Sequence, residues 1–266
     1  MSLQVYVIFH DKLFKENYEM LNPDELDKII FVCTNPNVEK TYDKDFFDDS
    51  KFIYEWKLPQ YDPKLQMRYI CDETLEPKSH FHETGVHWHI ALNKLCKKDY
   101  IYICHNDMVF TEGSIDRIIR HLKPGRGLTI AHMDYQMLLE TTSVPDSEEY
   151  IYAYILKKFK CPSFKSDKKY PMFTNCALET KKFEDVMHEL ITINKKYFIH
   201  VLPGGQFRPA IVFERTWALA VGSVLDEVLP FVGILHVKPP IHDIMELTQN
   251  GELTQYPDFN TGTILE

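Results

Sequence analysis

The side chains best able to do chemistry in this chain stand at the ends of apolar runs. Tyr100-Ile101-Tyr102-Ile103-Cys104 has no polar alternation and stops abruptly at His105-Asn106-Asp107. That pattern is a strand buried on both faces in the middle of a parallel sheet. In open α/β sheets, ligands bind in the crevice beyond the carboxyl ends of the strands. A carboxylate there can hold a hard divalent cation, which in turn holds phosphate oxygens. The competing reading of Asn106 and Asp107 is a plain strand-ending turn, for which both residue types are suited. A second carboxylate, Asp134, follows the apolar run Gly127 to His132, and a third, Glu214, lies beside Arg215 within the strongly apolar segment Ala210 to Val224. Ionisable groups in such a segment are costly to bury alone. Glu214 and Arg215 therefore either pair with each other or a neighbour, or Glu214 faces the cleft as a catalytic base.

These groups need a scaffold, and the rest of the chain supplies strand and helix patterns in alternation. Leu3 to Phe9 reads as a strand ended by His10-Asp11, and Lys28 to Cys33 as a second ended by Thr34-Asn35-Pro36. Both end in polar groups suited to reading a ligand. Lys15 to Leu21 reads as helical, Tyr42 to Ser50 as an acidic, solvated connection, and Lys51 to Trp56 as a short edge strand. Asp62-Pro63 opens a helical pattern in which Lys64 and Arg68, four apart, share a face as a positive patch or a plain surface pair. A longer helix runs from Glu83 to Leu95 with Trp88, Ala91, Leu92 and Leu95 as its core stripe. His82 and His87 are five apart, not the four a zincin helix needs, so His80, His82, His87 and His89 read as surface or rim residues.

Beyond the triplet, Ile115, Ile118, Ile119 and Leu122 form an apolar helical stripe ending at Lys123-Pro124-Gly125. Glu140 to Tyr170 has no regular period and suits either acceptor specificity and a mobile lid or a plain surface excursion. Met172 to Leu178 returns to strand, and Phe183, Val186, Met187, Leu190 and Ile191 mark an amphipathic helix. Pro203-Gly204-Gly205 is a turn, Ala210 to Val224 a helix, and Pro230 to Lys238 a late strand containing His236 before a polar tail.

With 266 residues and 44% hydrophobic side chains, the chain can fill one large α/β domain or two small ones. A formal net charge of −9 argues against wrapping nucleic acid, which requires a broad basic surface. Six widely spaced cysteines without a CxxC pair read as buried thiols of a reducing compartment. No apolar run approaches the length of a membrane span, and a soluble, cytoplasmic protein is expected.

A strand-ending acidic triplet after a nucleotide-binding-like half resembles the GT-A fold of nucleotide-sugar glycosyltransferases. The triplet His105-Asn106-Asp107 stands where that family has its DxD motif, with His105 departing from the first Asp. Phe213-Glu214-Arg215-Thr216-Trp217 resembles an acid-arginine helix of polysaccharide-building members, and His236 falls where they carry a C-terminal metal histidine. The resemblance covers roughly Leu3 to Lys238 and extends to soluble enzymes of bacteria and large DNA viruses. It implies an α/β, GT-A-like fold with a mostly parallel central sheet flanked by helices and a more irregular acceptor-side half. The implied organisation is one domain over 1–266: a nucleotide-binding half to about 122, an acceptor-side half to about 240, and a polar tail from 241.

The implied activity is transfer of a sugar from a nucleoside-diphosphate sugar, UDP-sugar favoured, to a glycan or other hydroxyl acceptor, in the cytoplasm of a bacterial or virus-infected host cell. Mn²⁺ or Mg²⁺ would be held by Asp107 with His105 and His236. Phe9, His10, Thr34, Asn35 and Asn106 would frame the nucleotide, and Arg68 would approach the diphosphate. In an inverting enzyme Glu214, or else Asp134, would take the acceptor's proton. Two rivals remain at this stage: a metal-dependent phosphoester hydrolase and a non-catalytic nucleotide- or carbohydrate-binding module.

Overall fold

The computed structural model describes residues 1–10, 12–38, 42–62, 84–134, 168–172, 174–197, 209–231 and 233–236. Its core is a five-stranded sheet in the order β3-β2-β1-β4-β9, formed by β1 (Leu3–Phe9), β2 (Ile29–Cys33), β3 (Phe52–Tyr54), β4 (Tyr100–His105) and β9 (Leu178–Glu179). β1 pairs in parallel with β2 and β4, and β2 with β3, whereas β9 joins β4 antiparallel. The mixed α/β expectation with a mostly parallel sheet holds. The middle strand is β1, and β4 lies one place toward the edge, flanked by one parallel and one antiparallel neighbour.

Apolar residues fill both faces, as a doubly covered sheet requires. Val5, Val7 and Phe9 of β1 share one face with Tyr100, Tyr102 and Cys104 of β4. Tyr6, Ile8, Ile101 and Ile103 face the opposite way. That second face is covered by α2 (Thr84–Leu92), α4 (Thr180–Tyr197) and α5 (Pro209–Val224), which contribute Trp88, Phe183, Met187 and Trp217. The first face is covered by α3 (Ser114–His121), through Ile115 and Ile118, and by aromatic residues before β3.

Here Tyr42 to Ser50 departs from the solvated connection expected. Asp43, Asp45, Asp48 and Asp49 supply the acidity, but Tyr42 stacks on Phe52 at 3.9 Å and Phe47 packs edge-on against Tyr18 and Phe31. The aromatic residues of the segment close the core while its acids lie outward. The segment Lys15 to Leu21, expected as a helix or helical turn, is a single 3-10 turn at Lys15–Asn17.

Two short helices are tied together by one carboxylate. In α1 (Pro23–Leu26), Asn22 caps the N-terminus by accepting from the Glu25 N–H, with Pro23 at the first position. Glu25 itself is fully buried, and its carboxylate accepts the N–H groups of Gly113, Ile115 and Asp116 at the start of α3. Gly113 adopts φ +69° and has no side chain to cap that helix, so the orphan donors are satisfied from α1.

Later strands are shorter and more divided than their apolar runs suggest. Gly127 to His132 splits into β6 (Arg126–Thr129) and the start of β7 (His132–Asp134), and β7 pairs antiparallel with β8 (Lys169–Pro171). Pro230 to Lys238 divides into the end of β10 (Glu227–Pro230) and β11 (Ile234–His236), separated at Gly233, whose φ of +133° an L side chain rarely adopts. β10 runs parallel to β6, and β11 antiparallel to β5 (Met108–Phe110). Among the described residues of Met172 to Leu178, only Leu178 lies in a named strand, with Ala177 making an isolated bridge to Leu128. Thr174 interrupts the run with φ +49°, uncommon for a β-branched residue. Among the described residues no helix is long and apolar enough to cross a membrane.

Candidate functional site

The parallel register brings three strand ends to one edge of the sheet. Phe9 of β1 lies opposite Cys33 of β2, and Ile8 lies opposite His105 of β4. Hydrogen bonds then join the residues that follow. The Thr34 N–H and hydroxyl both donate to the Phe9 carbonyl, and the Asn35 amide donates to the His10 carbonyl at 3.0 Å. The Asn106 N–H donates to Ile8 O at 3.0 Å, continuing the β1–β4 ladder one residue past the strand. Phe9, His10, Thr34, Asn35 and the triplet thus form one continuous rim. Thr34 and Phe9 are buried and support it, whereas His10, Asn35, His105, Asn106 and Asp107 are each half-buried.

The triplet is clamped from below by a residue that sequence reasoning missed. Asn17, fully buried in the 3-10 turn, donates its side-chain amide to the Asn106 carbonyl at 2.6 Å. Next to it, burial and then the nearby Cys104 and Asp107 push the Tyr18 phenol well above its ordinary pKa, keeping it protonated. Nothing in Lys15-Glu16-Asn17 distinguishes Asn17 from a surface polar residue, because its partner is 89 positions away.

His105 is held from two sides. Its Nε2 is 3.4 Å from the Thr174 hydroxyl, and its ring centroid is 6.4 Å from that of His87. His87 lies in turn 6.5 Å from Phe183 and 6.3 Å from Trp217. The rim reading of His87 and His89 is therefore corrected: both are fully buried. Val86-His87-Trp88-His89-Ile90 carries apolar residues around its whole circumference and is covered by α4 and α5 on one side and the sheet on the other. The signal available in the sequence was that all-round apolarity. His89 pairs with buried Glu55 through Nδ1 and accepts the Asp62 N–H at Nε2, 3.0 Å away. Burial raises the Glu55 pKa, and the hydrogen bond to His89 opposes the rise.

The other expected residues occupy two further places. The β5–β11 register puts His236 opposite Met108, the residue after Asp107, so the late strand returns to the triplet. Asp134 ends β7 opposite Lys169, and Met133 beside it touches α5, where Arg215 Nη1 approaches its sulfur at 3.5 Å. Glu214 is one residue away, 3.9 Å from the Arg215 guanidinium and with a quarter of its side chain exposed. The Met172 N–H donates to the Ala131 carbonyl, so the loop that carries Thr174 to His105 also touches the β7 end. Arg68, Lys64, His80, His82 and the Glu140 to Asp167 stretch lie outside the described residues.

Among the described residues no three His, Cys, Asp or Glu side chains gather to form an all-protein cage for a divalent ion. Of the residues expected to hold an ion, Asp107 and His105 lie on the rim, and the backbone register sets His236 opposite Met108; a carboxylate can bind a divalent ion together with phosphate oxygens.

No protein-family model matches the chain, and no curated protein matches it in sequence. Among solved structures it is similar to the WbbM bifunctional glycosyltransferase in its apo form, with a TM-score of 0.53 and 11% identity over 90% of this chain. The chain spans 46% of the length of that protein. At this identity the likeness is one of fold, and it establishes a glycosyltransferase-like α/β architecture.

Proposed function

We propose that this chain transfers a sugar from a nucleoside-diphosphate sugar, UDP-sugar favoured, to a hydroxyl of a glycan acceptor, with inversion at the anomeric carbon. The observation that carries this reading is the rim of three hydrogen-bonded strand ends, with Asp107 at its tip and the His236 register position beside it. The fold shared with a glycosyltransferase supports it. In this reading Phe9, His10, Thr34 and Asn35 frame the base and ribose, and the Asn106 turn presents the diphosphate to Asp107. Arg68 follows as a diphosphate contact.

Asp107 and His236, with His105 adjacent, would hold Mn²⁺ or Mg²⁺. That ion supplies charge stabilisation for the departing nucleoside diphosphate. The chain's own part is to fix the donor with its anomeric carbon toward the α5 side and to accept the acceptor's proton. Glu214 is the preferred base because its carboxylate is partly exposed at the surface of α5, whereas Asp134 stands opposite Lys169 in a ladder. As the acceptor oxygen attacks, its proton passes to the carboxylate and the bond from anomeric carbon to phosphate oxygen breaks. The aqueous side reaction is limited by the buried floor of Trp217, His87 and Phe183 beneath His105.

The test is calorimetric and thermal-shift titration with UDP, GDP and their sugars, with and without Mn²⁺, on wild type and Asp107→Ala. Metal-dependent stabilisation by one nucleotide that Asp107→Ala abolishes supports the proposal. Absence of any nucleotide binding overturns it, and phosphoester turnover without a sugar acceptor would assign the hydrolase alternative.

A further inference from the structure

Arg215 is the arginine whose surroundings do not account for it. Only 11% of its side chain is exposed, and Nε is buried without a hydrogen-bond partner. Its contacts among the described residues are the Met133 sulfur, a weak acceptor, and the Glu214 carboxylate at 3.9 Å, beyond hydrogen-bond reach. Arg126 shows what a structural arginine looks like in this chain. It donates Nε to the Glu227 carboxylate at 2.8 Å and Nη1 to the His121 carbonyl at 3.1 Å. A guanidinium stays charged at any accessible pH and presents five donors in a planar fork, so a buried one without oxygen partners is costly to the folded chain. The group that best satisfies such a fork is a planar pair of anionic oxygens, a carboxylate or two oxygens of a phosphate.

The position of Arg215 says which molecule brings that anion. It lies on α5 next to Glu214, the preferred base, and touches Met133 on the face of β7 that packs against α5. The rim that receives the donor diphosphate is built from β1, β2 and β4 instead. Lys168 is directed to the Leu225 carbonyl. We propose that Arg215 is the specificity-determining group for an anionic acceptor, a sugar bearing a carboxylate or phosphate near the hydroxyl that reacts. This rests on the glycosyltransferase reading for the word acceptor, but the anion site itself is measurable without donor or metal.

The experiment uses the full chain as wild type, Arg215→Met and Arg215→Lys. Each is titrated calorimetrically with methyl β-glucuronide, glucose 6-phosphate and methyl β-glucoside, and separately with UDP plus Mn²⁺, and its ligand-free melting temperature is recorded. Wild type is expected to bind both acidic sugars and not the neutral glucoside. Arg215→Met should weaken acid-sugar binding about tenfold or more while leaving UDP binding unchanged. Arg215→Lys should recover part of it, because the charge remains and the fork is lost. The ligand-free Arg215→Met protein should melt at or above the wild-type temperature, since an undercompensated charge has been replaced by an apolar chain.

A lower ligand-free melting temperature, or failure of Arg215→Met to fold, overturns the proposal by showing a structural guanidinium. Equal binding of the neutral glucoside, absence of acid-sugar binding to wild type, or loss of UDP binding alone also overturns it, the last assigning Arg215 to the donor diphosphate. Acid-sugar binding that depends on Arg215 in a protein that binds no nucleotide would leave the anion site standing and remove the glycosyltransferase reading.

Discussion

The clamp on Asn106 gives a test in which stability and ligand binding separate. Asn17 is fully buried and donates to the Asn106 carbonyl at 2.6 Å, while the Asn106 N–H is held by Ile8. Asn17→Ala removes one neutral hydrogen bond, about 1 kcal/mol net, and leaves a partly buried carbonyl short of a donor, about 1 kcal/mol more. Asn17→Asp is worse, because a carboxylate then meets that carbonyl oxygen, and about 3–4 kcal/mol is expected. Urea unfolding followed by tryptophan fluorescence should rank wild type above Asn17→Ala above Asn17→Asp. A domain stable by about 5 kcal/mol or more remains almost wholly folded after a 2 kcal/mol loss. Any change in UDP affinity of the Ala variant therefore reports the triplet's position and not the folded fraction. With the turn free to relax, about tenfold weaker Mn²⁺-dependent UDP binding is expected. An Asn17→Ala protein destabilised as expected but with unchanged UDP affinity would refute the claim that this amide positions the site.

Three other outcomes follow from the same reasoning. Glu25→Gln should cost about 3 kcal/mol in urea, since the amide nitrogen faces donors at Asn22 and Gly113 that the carboxylate accepts, and unchanged stability would show that α3 needs no cap from α1. Burial holds the His132 pKa below its ordinary 6.5, so the folded state prefers the neutral ring; that stability is present above about pH 6.5 and is lost as pH falls toward the depressed folded value. Melting temperature measured against pH should therefore fall less on acidification for His132→Gln than for wild type, and identical slopes would contradict the assignment. Gly222→Ala drives a Cβ into the Tyr170 ring, and the overpacking, about 1–3 kcal/mol, outweighs the roughly 1 kcal/mol of helix propensity gained. A Gly222→Ala protein that melts higher than wild type would show that Tyr170 moves aside freely.

Much of the scaffold was legible because its signals are local. The runs Leu3 to Phe9, Lys28 to Cys33 and Tyr100 to Cys104 declare strands, and the stripe of Ile115, Ile118 and Ile119 declares α3, in each case from period alone. What period could not show were breaks set by backbone geometry. The left-handed Thr174 and the Gly233 turn cut two apolar runs into a loop and two strands, although neither run contains a polar break long enough to mark it. Burial of polar groups was also hidden. His87, His89, Glu55 and Asn17 look like surface residues by type, and become core residues only when partners distant along the chain enclose them.

That hidden polar layer bears on how the site is built. His105 stands where a carboxylate would face His87 at short range, with Trp217 and Phe183 closing the space behind. A carboxylate set into this buried floor would need a charged partner, whereas an imidazole can remain neutral and hydrogen-bond the Thr174 hydroxyl at 3.4 Å. The floor thus favours histidine at the first position of the triplet. The strained Thr174 is then explained by what it holds, since a left-handed φ at a β-branched residue costs about 1–3 kcal/mol and persists only where surrounding contacts require it. Thr174→Gly should relieve the strain and raise the melting temperature while loosening His105. A rise in stability accompanied by weaker UDP binding would show that the strain serves the site, and a rise with unchanged binding would show that it does not.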